Sequence, residues 1–221
     1  MRVVRILHEG DCRYGLADDH TVTLITDEPF AAWETEGVVE LSHADLLAPV
    51  VPTKIVCVGI NYRSHAEEMG HLIPEDPVIF LKPPTAINGP GGSIMLPQGV
   101  GRVDYEGELA VIIGRRTHRV TPAEAQHTIL GYTCANDVTA RDIQKRDGQW
   151  TRAKGYDGFC PIGPWIETDV DPGDLLVETY VNGERTQFAR TSDMIVDAFT
   201  LVSYISHVMT LVPGDVVLTG T

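Results

Sequence analysis

The sequence predicts an α+β fold, with a small β-rich unit ahead of a larger one. Three observations carry this. Short apolar runs bounded by Gly, Pro or polar residues recur at 54–59, 77–82, 109–113, 130–137 and 214–221, the pattern of buried strands. Helical signals are fewer, at 61–70, 121–129, 138–144 and 192–209. The texture also changes near residue 50, where Ala48-Pro49-Val50-Val51-Pro52 looks like a linker. The expected division is therefore 1–50 and 51–221.

A chain of 221 residues can bury one substantial core, or a large domain with an appendage. A hydrophobic content of 43% and a charged content of 22% are ordinary for a globular protein. The net charge of −14, with no basic cluster, argues against nucleic-acid binding. An anionic substrate would have to be met by a local cation, which makes a bound metal attractive. Cys12, Cys57, Cys134 and Cys160 are scattered with no C-x-x-C pair, which suits free thiols in a reducing cytoplasm. No signal-peptide core opens the chain, and no run approaches the roughly 18 apolar residues of a membrane span. A cytoplasmic protein without membrane contact is expected.

In the N-terminal unit, 3–7 and 21–26 read as strands joined by a polar segment over 9–19. His8, His20 and His43 are isolated and suggest no chemistry. After the strand at 54–59, residues 61–70 predict a short helix, with Ser64 and Glu67 as a capping box and Gly70 as its stop. His65 and Glu68 then share one face at i and i+3. A carboxylate there could fix the imidazole tautomer and raise its basicity, as a water-activating base requires. Taken alone, the pair reads as a solvated helix face with a chance His-Glu neighbour.

The strand at 77–82 stops at Pro83-Pro84, and 88–92 is turn chemistry without the Lys-Ser/Thr of a phosphate loop. Glu106 and Glu108 stand at the entrance to the apolar run 109–113. Residues i and i+2 of a strand project to one face. Two carboxylates there repel and lose hydration, and a divalent cation between them would offset both costs; the alternative is a solvated strand end. Thr121-Pro122-Ala123-Glu124 is a capped helix start running to about Ile129. Asp137 closes the strand at 130–137, either as a third metal ligand or as a helix N-cap. The Gly- and aromatic-rich stretch 148–161 suits a pocket-lining loop, in which Lys154 could meet a substrate carboxylate. Asn182-Gly183 predicts a hairpin after a strand at 175–181. Residues 192–209 carry an amphipathic stripe of Ile195, Ala198, Phe199, Val202, Ile205 and Met209.

Taken in order, these residues resemble the fumarylacetoacetate hydrolase family. The resemblance is carried by Gly59-Ile60-Asn61-Tyr62 with His65 and Glu68, Phe80-Leu81-Lys82-Pro83 and Asp104-Tyr105-Glu106-Gly107-Glu108-Leu109. It continues through Asn136-Asp137-Val138-Thr139-Ala140-Arg141-Asp142, Trp150, Ala153-Lys154-Gly155 and Leu218-Thr219-Gly220-Thr221. One such motif would be weak; the ordered set over 54–221 is strong.

The resemblance implies a mixed β-sandwich roll of that family's C-terminal type, with the small β-rich domain before it. It implies that Glu106, Glu108 and Asp137 bind Mg²⁺ or Mn²⁺, and all-carboxylate ligation suits a hard cation. Lys154 would be the active-site lysine, and His65 with Glu68 a dyad on a segment that closes over substrate. Arg141, Gln144 and Thr221 would contact that substrate. The implied activity is on a small 2-oxo acid through a metal-stabilised enolate. The outcomes are C–C hydrolysis of an acylpyruvate, isomerisation of 2-hydroxyhepta-2,4-diene-1,7-dioate, or decarboxylation of oxaloacetate. A catalytically silent metal-binding protein on the same fold is the competing class. A homodimer is implied. Family members continue past the Gly-Thr turn with further strands, so the sequence is expected to be incomplete after Thr221.

Overall fold

A computed structural model describes residues 1–70 and 72–221. The N-terminal region forms β1 (Arg2–His8), β2 (Asp11–Ala17), β3 (Thr21–Ile25), β4 (Thr35–Glu40) and β5 (Asp45–Leu47). Next come β6 (Ile55–Gly59), α1 (Arg63–Met69), β7 (Val78–Lys82), β8 (Ile87–Asn88), β9 (Val103–Asp104) and β10 (Gly107–Ile113). They are followed by α2 (Pro122–Ala125), β11 (Ile129–Asn136), β12 (Thr139–Ala140), α3 (Arg141–Asp147) and α4 (Thr151–Lys154). The chain ends with β13 (Cys160–Glu167), β14 (Leu176–Val181), β15 (Glu184–Arg190), α5 (Ala198–Val208) and β16 (Val216–Leu218).

Ten strands form one mixed path in the order β4-β3-β2-β1-β13-β11-β10-β16-β6-β7, with β5 on β1 and β8 on β13. The expected α+β class is what forms. β10 lies at the centre, antiparallel to both β11 and β16. Its side chains alternate between two apolar clusters. Ala110 and Ile112 join Ile55, Cys57, Ile162 and Leu218 on one face. Leu109, Val111 and Ile113 join Val56, Val202, Ile205 and Val217 on the other, under α5. Burial on both faces is why this strand reads as a continuous apolar run rather than an alternating one.

Several local expectations change. The segment 9–19 is not a polar connection but holds β2, paired with β1 from Arg2↔Ala17 to His8↔Asp11. Glu9 (φ 52°) and Gly10 (φ 90°) make the turn, and Tyr14 and Leu16 pack on the core. The Ser64–Glu67 capping box does not form. The chain leaves β6 through a left-handed Ile60 (φ 56°) and α1 already begins at Arg63, with Tyr62 as N-cap. Ser64 Oγ instead donates to Asp193 Oδ2 at 2.8 Å. Gly70 does end α1, at φ 63°. The helix expected over 192–209 starts at Ala198, because Asp197 accepts from the backbone N–H of Phe199 and Thr200 and caps it there. The Thr121–Glu124 capping box is present, but α2 is a single turn.

The N-terminal strands do not stand apart. β1 pairs with β13 through Arg2↔Glu167 and Val3↔Ile166, and Val3 belongs to the main apolar cluster. Val4, Ile6, Val22, Leu24 and Val39 form a smaller cluster on the opposite side of β1. Among the described residues no helix is long and apolar enough to cross a membrane.

Candidate active site

Strand pairing assembles the site. Gly107 opposes Asn136 in the β10–β11 ladder, so the residues flanking them, Glu106 and Asp137, meet at one sheet end. Asp137 N–H donates to Glu106 O at 2.8 Å, and Glu106 N–H donates to Asn136 Oδ1 at 2.9 Å. Glu108 lies on the same side of the strand as Glu106. One oxygen from each of Glu106, Glu108 and Asp137 lies within 4.8 Å of the others. The three residues are 6%, 3% and 1% exposed. Asp137 caps no helix: β12 separates it from α3, whose N-terminus has no side-chain cap.

Two lysines lie under this cluster. Lys154 is not on an open loop but at the end of α4 and buried. Its Nζ donates to Glu106 Oε2 at 2.8 Å and to Asp137 Oδ2 at 2.5 Å, over the ring of Phe80. Burial disfavours its charge, but the Asp137 and Glu106 carboxylates outweigh that and raise its pKa, so it stays an ammonium. Lys82, fully buried at the end of β7, donates to the carbonyls of Val138 (3.1 Å), Lys154 (2.5 Å) and Phe159 (2.9 Å). Its Nζ also lies 2.7 Å from Asp137 Oδ1. With the ammonium hydrogens committed to carbonyls, Asp137 Oδ1 has a charge contact but no aligned hydrogen bond.

The carboxylates are unequal. Burial works against ionisation of Asp137, yet Lys154 and Lys82 overcome it and hold its pKa below the usual range. Glu108 accepts from Gly220 N–H at 2.7 Å. Burial, then the charges of Asp137 and Glu106, push it well above the usual range. A buried cluster of hard oxygen donors, in which Glu108 has no ion-pair partner among the described residues, fits a hard divalent cation.

The other expected residues fall into two groups. Arg141 bridges Asp104 (Nε to Oδ2, 2.9 Å), Gln144 (3.0 Å) and Glu106, bringing Arg141 and Gln144 to the flank of the cluster. His65, Glu68 and Thr221 instead line a cleft of about 250 Å³ with Tyr62, Gly107 and Gln187. His65 Nδ1 and Glu68 Oε2 are 3.8 Å apart, beyond hydrogen-bond distance, and the Glu68 side chain is 78% exposed. Thr221 Oγ1 donates to Gly107 O at 2.9 Å and accepts from Gln187 Nε2 at 2.7 Å.

Lys82 and Gln187 are the residues that sequence reasoning did not place in the site. A lysine closing an apolar strand was a signal for Lys82, since lysine is rarely buried unpaired. Gln187 had none. It comes from β15, and its Oε1 accepts from Gly107 N–H and Thr179 Oγ1, both at 2.8 Å. The β14–β15 hairpin thereby becomes a wall of the cleft.

Residues 54–221 match the family described as Fumarylacetoacetate (FAA) hydrolase C-terminal, and residues 1–49 match the one described as Rv2993c-like, N-terminal. This chain belongs to the fumarylacetoacetate hydrolase family. It is similar to Protein Rv2993c of Mycobacterium tuberculosis, 52% identical over 215 residues that cover 96% of this chain and 81% of the relative. It is 41% identical over 185 residues to the mitochondrial oxaloacetate tautomerase Fahd2a of Rattus norvegicus, covering 81% of this chain and 59% of that one. The crystal structure of 2-hydroxyhepta-2,4-diene-1,7-dioate isomerase from Mycobacterium marinum superposes with a TM-score of 0.93 at 49% identity, over 100% of this chain and 87% of the other.

Proposed function

We propose that this chain is a divalent-metal-dependent enzyme that acts on a small 2-oxo acid through an enolate. The observation that carries the reading is the buried Glu106–Glu108–Asp137 cluster beside a cleft lined by His65 and Thr221. Glu106, Glu108 and Asp137 would hold Mg²⁺ or Mn²⁺. The ion would supply Lewis-acid stabilisation of the charge that develops as a 2-oxo acid becomes an enolate.

The chain's own groups do the rest. Lys154, held as an ammonium, orients Glu106 and Asp137 and keeps a positive charge beside the developing anion. Arg141 and Gln144 offer a cation and an amide to a substrate carboxylate at the flank of the site. Thr221 offers its hydroxyl to a carboxylate in place of Gly107 O. His65 serves as the base facing the cleft, and an approach of about 1 Å by Glu68 would complete a hydrogen bond that fixes the imidazole.

With His65 activating water against a distant carbonyl, the outcome is hydrolysis of an acylpyruvate. With proton transfer alone, it is isomerisation of a 2-hydroxy-dienoate or tautomerisation of oxaloacetate, the reactions named for two of the relatives. Decarboxylation of oxaloacetate is the alternative. Convergence of three carboxylates with two buried lysines supports an enzyme over a silent protein on this fold. The homodimer and the cytoplasmic setting belong to the same proposal, and light scattering on the purified chain tests the dimer.

The test follows acetylpyruvate, oxaloacetate and the heptadienedioate by ultraviolet absorbance, with Mg²⁺ or Mn²⁺ and then with chelator. Absence of metal-dependent turnover of all three would sink the reading. His65→Ala should spare metal binding and lower hydrolysis about 10²-fold or more. An equal loss of decarboxylation would remove the role given to the base.

A further inference from the structure

Gln187 closes a ring of hydrogen bonds over Gly107. Its Oε1 accepts from Gly107 N–H and from Thr179 Oγ1, both at 2.8 Å. Its Nε2 donates to Thr221 Oγ1 at 2.7 Å, and Thr221 Oγ1 donates to Gly107 O at 2.9 Å. Gln187 and Thr221 are each half-buried, and both line the cleft with His65.

The backbone sets the direction of every bond in this ring. Gly107 N–H can only donate, and Gly107 O can only accept. A reversed amide would place Nε2 against that N–H, two donors face to face. Oε1 therefore takes the place beside Gly107 N–H, and Nε2 is left for Thr221. The threonine hydroxyl must then accept from Gln187, so its single hydrogen points elsewhere. A hydroxyl without such a neighbour gives or takes a hydrogen bond as its surroundings require. Gln187 makes this one a donor. An anionic oxygen has only lone pairs to offer, and a hydroxyl held as a donor is the form it needs. Gly107 O holds the hydrogen in the free protein. An anion in the cleft is the stronger acceptor and takes it over.

We propose that Gln187 is a positioning residue, which holds the Thr221 hydroxyl as a donor toward an anionic oxygen of a 2-oxo acid in this cleft. The inference rests on the 2-oxo acid chemistry proposed above and adds the residue that sets the polarity of Thr221.

Gln187→Leu removes the amide, Thr221→Val removes the hydroxyl, and the double variant completes a thermodynamic cycle. Oxalate is the probe, because its vicinal oxygens match those of a 2-oxo acid enolate. Calorimetry would measure oxalate binding with saturating Mn²⁺, and Mn²⁺ binding alone. Thr221→Val should bind oxalate about 10-fold or more weakly, the effect of one lost hydrogen bond to a charged acceptor. Gln187→Leu should weaken it about 5-fold. With Thr221→Val already present, Gln187→Leu should cost less than about twofold. With Thr221→Ser, which keeps a hydroxyl, its full cost should return. A residue that only packs the hairpin would cost the same in every background. Mn²⁺ affinity should match the wild type throughout. Oxalate affinity of Gln187→Leu within about twofold of wild type would overturn the inference. Losses that simply multiply in the double variant, or a fall in Mn²⁺ affinity, would also overturn it. Those outcomes leave the proposed function standing. Absence of oxalate binding to the wild type would overturn the proposed function and this inference together.

Discussion

Glu108 has the least compensated charge of the three carboxylates, and this sets how the metal-free protein responds to pH. Its folded pKa lies well above the ordinary 4.5, so the folded state holds the proton more tightly than the unfolded one. Its stabilising contribution is complete below about pH 4.5 and is lost as pH rises through the folded pKa. Asp137 acts in the opposite sense: its pKa lies below the ordinary 3.8, and its contribution is lost as pH falls through the folded value. In chelator, Tm should therefore decline as pH rises above 4.5, by about 2–4 °C for each kcal/mol lost, and Mg²⁺ should remove the decline. Glu108→Gln, which keeps an acceptor for Gly220 N–H, should abolish Mg²⁺ binding and turnover yet raise the chelated protein's Tm at pH 8. Lys82→Met strands three buried carbonyls and one face of Asp137. A loss of about 3–5 kcal/mol by urea denaturation is expected, larger than surface lysine substitutions give.

At the scale of elements, the packing of the β14–β15 hairpin against Gly107 at the start of β10 decides the shape of the cleft. A Cβ added at Gly107 would lie 2.1 Å from Thr179 Oγ1 and 3.2 Å from Gln187 Oε1. Gly107→Ala should push the hairpin away and break the Gln187 bonds to Gly107 and Thr221. Hydrogen exchange over 176–190 should quicken several-fold, with weaker oxalate binding and a smaller effect on global Tm. The elements themselves were largely legible. β10, the Asn182-Gly183 hairpin and the Thr121 cap each declare themselves through residues adjacent in sequence. β2 did not, because Asp11, Arg13 and Gly15 around its inward Tyr14 and Leu16 suit a loop equally well. Ser64 satisfies a capping pattern, but the tertiary bridge between Tyr62 and Met194 moves the helix start ahead of it.

Across the whole molecule, the two family matches meet between residues 49 and 54, yet the sheet runs through without a break. Val3 lies in the same apolar cluster as Ile112 and Leu218, and β1 covers the edge of β13. Calorimetry should accordingly show one unfolding transition for the full chain rather than two. Removal of residues 1–50 should lower solubility by exposing that edge.

The candidate site divides along the same line. Glu106 and Glu108 were visible as a pair because strand periodicity puts i and i+2 on one side. Asp137, Lys154 and His65 were each ambiguous alone, and the ordered family resemblance gave each an expected role. Lys82 and Gln187 acquire meaning only from contacts between distant parts of the chain. Gln187 reaches Gly107 across 80 positions and Gly220 N–H reaches Glu108 across 112. The sequence by itself determined the central strands, the family and the carboxylate pair, because periodicity and motif order are local properties. The tertiary structure alone decided which groups meet in the cleft and which buried charges are paired. Burial and hydrogen-bond satisfaction belong to the packed sheet, not to any segment of it.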